Sequence, residues 1–260
     1  MAHAALSGLS NSELLQVAPV VLAEEQLLPV PEVFHSLLPG RGLQRGWTTK
    51  VDGGPSARAL AWALLGSVTA SGGWIAAVDV PGISLPAARE VGVAIERMLI
   101  VNSSATTWSN TIGALIGAVD AVVYGAPRHR VQPREYRRIA SRCRERGTLL
   151  LELGNDHFQP SQKQGGQRQG SQMQYDVSFL VEPLSWDGLG NGFGHLQSRA
   201  LDISAMGRRI PGASRRGCFE LPAIDGELRA IHLDGIATDT SDRGQQRPTR
   251  PLRSASLPAS

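Results

Sequence analysis

In Trp47–Ala70, WTTKVDGGPSARALAWALLGSVTA, a short β-branched run meets a pair of glycines and then a long apolar helix. Junctions of this kind can hold phosphate, because glycine-loop N–H groups and the positive end of the following helix attract anions. The working pattern is G-x-x-x-x-G-K-[ST], in which the lysine reaches the outer phosphates and the hydroxyl holds Mg²⁺. Counted from Gly53, its last three positions fall on Arg58, Ala59 and Leu60. A loop one residue shorter puts the lysine and hydroxyl positions on Arg58 and Ala59. On either count the lysine and the hydroxyl are missing. What remains at Gly53 and Gly54 is expected to be a tight strand-to-helix turn. Arg58 has two readings, a solvated arginine or a cation holding a phosphate at the helix N-terminus.

Working outward, 260 residues suffice for one sizeable α/β core with some appendage. Hydrophobic residues at 42% with 19% charged describe a soluble globular chain. No apolar run approaches the roughly 18 residues of a membrane span. The N-terminus MAHAALSGLSNSELL has no basic segment leading into a continuous apolar one, so a cytoplasmic location is expected. Cys143 and Cys218 stand apart from each other and from any histidine cluster, which argues for reduced structural thiols and against a metal site. The net charge of +3 is carried almost wholly by arginine, the lysines being Lys50 and Lys163. Arginine suits planar contacts to phosphate, although the codon bias of a GC-rich genome produces the same skew.

Upstream, residues 11–28 carry apolar positions at helical spacing, and Glu32–Leu38 reads as a short helix, so residues 1–38 are expected to form a helical N-terminal arm. Trp47–Asp52 is the first core strand. Downstream the chain alternates: strand Trp74–Val80, short helix Pro86–Gly92, strand Met98–Val101 and a helix with Trp108, Ile112, Leu115, Ile116 and Val119 on one face. Then follow strand DAVVYG, an arginine-rich helix with the apolar stripe Tyr136, Ile139, Ala140 and Cys143, and strand TLLLEL. Such alternation predicts a parallel sheet with helices on both faces. From Tyr175 the pattern changes to strands and turns, an antiparallel extension of that sheet. The core is expected over 39–236, with a mobile Gln/Gly/Ser-rich loop at about 156–174 and a disordered Pro/Arg/Ser-rich tail at 237–260.

The order of these elements, with GRGLQRGWTTKVDGGPSARALAWAL at its head, resembles the core of a RecA-type ATPase. LPVPEVFHSLLPGRGLQRG together with WDGLGNGFGHL is similar to ImuA-type proteins, in particular the actinobacterial ImuA-prime group. The likeness covers about Leu28–Leu233 and rests on order and spacing more than on any single motif. It implies a RecA-like α/β fold and a role in damage-induced mutagenesis. The implied partners are an ImuB-type Y-family polymerase homologue and, through it, an error-prone replicative-type polymerase. It also implies three lost catalytic positions: the lysine and hydroxyl of the loop, the acid that would end the fourth strand (here Gly125), and the water-orienting glutamate two residues after Asp79 (here Pro81). Phosphoryl transfer depends on positioning and charge neutralisation, so these losses predict no ATPase activity, no cofactor and no metal. An ATPase with an unconventional loop, in which Arg58 replaces the lysine, and a division-inhibitor-like stoichiometric blocker are the alternatives.

Other residues carry two readings each. Asp79 is a catalytic base or, with Pro81 nearby, a strand-end turn residue. Arg134, Arg137, Arg138 and Arg142 form a solvated helix face or a weak DNA-phosphate contact. Trp186, Leu189 and Phe193, set among glycines, cover a sheet edge or bind a partner. The N-terminal arm or the tail offers a docking segment, and self-association of the RecA kind stays open.

Overall fold

A computed structural model describes residues 27–127, 129–154, 174–189, 194–212 and 214–231. The β-branched run of the central stretch becomes strand β3 (Thr48–Asp52), and the apolar run after the glycines becomes helix α1 (Pro55–Ala70). Before them come the short strands β1 (Leu27–Pro29) and β2 (Gly42–Gln44), which pair antiparallel. After them follow β4 (Ile75–Val78), α2 (Leu85–Glu90), β5 (Met98–Val101), α3 (Trp108–Leu115), β6 (Ala121–Gly125), α4 (Pro133–Arg146) and β7 (Leu149–Leu153). The long strands β8 (Val177–Leu189) and β9 (Gly194–Met206), then β10 (Arg215–Glu220) and β11 (Arg229–Ile231), complete the described elements.

One nine-stranded sheet runs in the order β11-β10-β9-β8-β3-β7-β6-β4-β5. From β8 to β5 every neighbouring pair is parallel, and β9, β10 and β11 extend it antiparallel. The parallel strands β4, β6 and β7 are buried along their whole length, which explains their near-continuous apolar sequences. Alternate residues serve two separate cores. Ile75, Ala77, Val123 and Leu151 join α1 on one face, while Ala76, Val78, Val122 and Leu150 join α3 and α4 on the other. The α1 core continues under β8, β9 and β10 through Phe179, Ile203 and Phe219. Both faces of the parallel part therefore carry helices, as the alternation predicts.

Several boundaries differ from those read in the sequence. Residues 1–26, most of the expected helical arm, lie outside the described residues, as do nearly all of the expected loop at 156–174 and the tail at 237–260. Residues 27–38 are not an arm. Leu27–Pro29 is a strand, Glu32–Phe34 is a single 3-10 turn, and Leu28, Phe34, Leu37 and Leu38 are core residues, with the Phe34 ring 5.3 Å from that of Phe219. Prolines 29 and 31 keep this segment from an α-helix. Helix α3 stops at Leu115 because Gly117 turns with φ of 89°, after which Ile116 and Val119 form an isolated bridge. All the same, Trp108, Ile112, Ile116 and Val119 are buried together in one core. The arginine-rich helix begins at Pro133, where Gln132 and Glu135 form a capping box, and ends at Gly147 in the left-handed region. Cys143 and Cys218 are buried and free, and burial pushes the Cys143 thiol up to about 12.

Candidate functional site

Between β3 and α1 the chain turns on Gly53 and Gly54 alone. Gly53 has φ of 145°, and a Cβ there would stand 2.4 Å from the Val181 carbonyl oxygen of β8, so only glycine fits this approach. Pro55 opens the helix without an N–H to offer, and the Ala57 N–H already donates to the Gly54 carbonyl at 3.1 Å. The strand-to-helix junction is therefore two residues long. The three positions in doubt are all within the helix: Leu60 is fully buried in the core, Ala59 packs against it, and Arg58 points towards the loop after β4, 4.0 Å from where a Gly82 Cβ would be.

That loop begins at Asp79, which takes φ of 49° at the end of β4. Its carboxylate accepts the Ser103 N–H at 2.7 Å and the Ser103 hydroxyl, and its own N–H donates to Val101 O at 3.0 Å. Asp79 thus ties the end of β4 to the loop after β5, the arrangement of a turn residue. Gly125, at the end of β6, lies against it: a Cβ would be 2.5 Å from Asp79 O and 3.1 Å from Pro81 Cδ. Position 125 has no room for the acid whose place it holds.

Above these residues opens a cleft of about 620 Å³ lined in part by Arg58, Asp79, Asn102, Ser104, Trp108 and His129. It sits where the sheet changes winding: β4 leads outward to β5, whereas the neighbouring β6 leads back to β7. In open α/β sheets this reversal, at the carboxyl ends of the strands, is where ligands bind. Trp108 is 2% exposed, makes edge-on contacts with His129, Tyr124 and Tyr136, and its Nε1 has no acceptor among the described residues. The sequence places Trp108 on one helix face, which the fold buries, but gives it, His129 and Ser103 no part in a site. The Asn-Ser-Ser run that follows strand β5 was the available signal. Among the described residues no cluster of three His, Cys, Asp or Glu side chains converges as a metal site would.

The arginines grouped by sequence are not one face. Arg138 and Arg142 flank a groove against α3, with the Arg142 guanidinium 3.0 Å from where a Gly113 Cβ would be. Arg137 lies on the other side of the buried stripe, with Arg144, and Arg134 is exposed between the two. Trp186 is 43% exposed on β8, its ring 5.5 Å from the Arg199 guanidinium. Leu189 ends β8 with its side chain outside those described, and Phe193 lies outside the described residues.

A family model described as the MT3502 N-terminal domain matches residues 36–158. The uncharacterized protein Rv3395c of Mycobacterium tuberculosis is 30% identical over 152 residues, which are 58% of this chain and 71% of that protein. The chain belongs to this MT3502 family. The matched stretch holds the glycine turn, Asp79, Gly125 and the arginine-rich helix, and it stops before the β8–β9 hairpin. Among the described residues no helix is long and apolar enough to cross a membrane.

Proposed function

We propose that this MT3502-family chain is a non-catalytic, RecA-like accessory protein of a cytoplasmic translesion-synthesis complex. It would hold an ImuB-type Y-family polymerase homologue and, through it, an error-prone replicative-type polymerase. The non-catalytic part rests on one observation above the others: the β3–α1 junction is a two-glycine turn packed against Val181, with Leu60 in the core where a catalytic residue is needed. Gly125, closed off by Asp79, agrees with it. The assembly part is supported by the ImuA-prime likeness of LPVPEVFHSLLPGRGLQRG and WDGLGNGFGHL, and by a relative from an actinobacterium.

Calorimetry with Mg-ATP, with and without single-stranded DNA, is expected to give no heat of binding at micromolar protein, and phosphate release no turnover. Micromolar affinity or DNA-stimulated hydrolysis would replace this reading with that of an ATPase whose Arg58 stands in for lysine. Co-purification from DNA-damaged cells is expected to recover the Y-family homologue, and recovery of a division protein instead would favour a stoichiometric blocker.

A further inference from the structure

On the flank of α4 away from α3 runs a groove of about 450 Å³, with Arg137 and Arg144 on one wall, Gln174 and Arg208 on the other, and Tyr136 and Ala140 along its floor. Arg137 and Arg144 are both exposed and two helical turns apart, about 10 Å along the axis. The opposite wall is firmly built. Asp176, 1% exposed, accepts the Thr48 N–H at 2.9 Å and the Thr48 hydroxyl at 3.0 Å, and the same hydroxyl donates to Gln174 O at 3.2 Å. Asp176 also anchors Arg208 at 2.7 Å and Arg209 at 3.6 Å, whose side chains remain 46% and 57% exposed.

Three guanidiniums, those of Arg137, Arg144 and Arg208, therefore line this groove, and among the described residues the one carboxylate beside them is that of Asp176, itself buried and bonded to β3. The nearby acids on α4 are directed elsewhere: Glu145 accepts from Ser141, and Glu135 accepts from Ser109 and from the Gln132 N–H. A concave strip in which Arg137 and Arg144 have no acid partner among the described residues suits phosphates, since guanidinium forks bind phosphate oxygens in pairs.

We infer that this groove binds the phosphodiester backbone of a nucleic-acid strand, without regard to sequence. Arg137 and Arg144, about 10 Å apart along the helix axis, are far enough apart to take different phosphates of one strand. The Tyr136 ring is buried in its floor, so bases have no platform and readout stays with the backbone. Of the arginines grouped in the sequence, Arg137 belongs here with Arg144 and Arg208, while Arg138 and Arg142 do not. The inference does not depend on the accessory-protein reading, and either can fail alone.

The test is fluorescence anisotropy of the full chain with a labelled oligo-dT at 50 mM salt. Wild type is expected to bind, and binding should weaken with salt along a slope of about −0.7 per phosphate contacted. Arg137→Gln with Arg144→Gln is expected to weaken binding at least tenfold and flatten the slope by about 1.4. Arg138→Gln with Arg142→Gln, on the other flank, should leave it within twofold. Arg137, Arg144 and Arg138 are solvent-facing and Arg142 is half-buried, and circular dichroism melts check that both pairs fold; if the Arg137/Arg144 glutamine pair melts early, Arg137→Lys with Arg144→Lys, which keeps the charge, should bind within threefold of wild type. No binding by wild type, or equal loss from both pairs, would overturn the inference. So would displacement by pyrophosphate as effective per phosphate as by unlabelled oligo-dT, which would mark a small-anion site.

Discussion

At Gly125 the backbone of β6 runs so close to the end of β4 that a Cβ would stand 2.5 Å from Asp79 O and 3.1 Å from Pro81 Cδ. Neither neighbour is the free end of a flexible side chain, so a substituent there must push the β4–α2 loop aside. Asp79 resists that movement through its bonds to Ser103 and Val101. Gly125→Asp, the change that would restore a metal-binding acid, is therefore expected to destabilise the fold by about 2–3 kcal/mol and to give no ATPase activity. Urea unfolding followed by tryptophan fluorescence measures the loss, and an unchanged midpoint would mean that the loop moves freely. In the sequence Gly125 was visible only as a missing acid. Its contact with Asp79 arises because β4 and β6 pair in register, Val78 beside Tyr124, which no local pattern encodes.

Helix α1 shows how an element's neighbours reverse a local preference. Gly66 lies in its interior, where alanine would be favoured by about 1 kcal/mol on helix propensity alone. Here, however, a Cβ would meet Val91 O at 2.8 Å and the Gly92 carbonyl carbon at 3.1 Å, both backbone atoms of the segment after α2. Overpacking against backbone costs about 1–3 kcal/mol, so the clash wins and Gly66→Ala is expected to lower the melting temperature by several degrees. A rise would show that the α2–β5 connection yields. The same distinction explains which elements were legible. Strands β4, β6 and β7 are apolar runs because both their faces are buried, and α4 carries a clear stripe because one face is wet. The end of α3 depended on one residue, Gly117, while Ile116 and Val119 kept the helical spacing beyond it. The full length of β8 and β9 was hidden because register shifts at Pro183/Ser185 and Asp187/Leu189 break the alternation.

At the scale of the whole molecule, sequence gives the succession of strands but not their order across the sheet. Only the order, with β3 between β7 and β8 and the winding reversed between β4 and β6, moves attention from the glycine turn to the cleft beside Trp108. The order also places the β8–β9 hairpin: its first half is core, through Val177, Phe179 and Val181, whereas Pro183–Gly188 is exposed. Within the exposed half, Trp186 is braced by Arg199, whose Nε and Nη2 donate to Leu221 O at 3.1 and 2.9 Å. The brace holds the ring in place while leaving it 43% exposed, as a partner-binding aromatic requires and a core aromatic does not. Losing a cation–π contact at a half-exposed site costs about 0.5–1 kcal/mol, so Trp186→Ala should leave the unfolding midpoint nearly unchanged. A contact-making aromatic contributes about 2 kcal/mol or more at an interface, so if the proposed Y-family partner docks on this hairpin, its capture by the same variant should fall about thirtyfold. Binding titrations and thermal melts on one preparation separate the two effects. Unchanged capture would move the interface off the hairpin, and a parallel loss of stability would make Trp186 a packing residue.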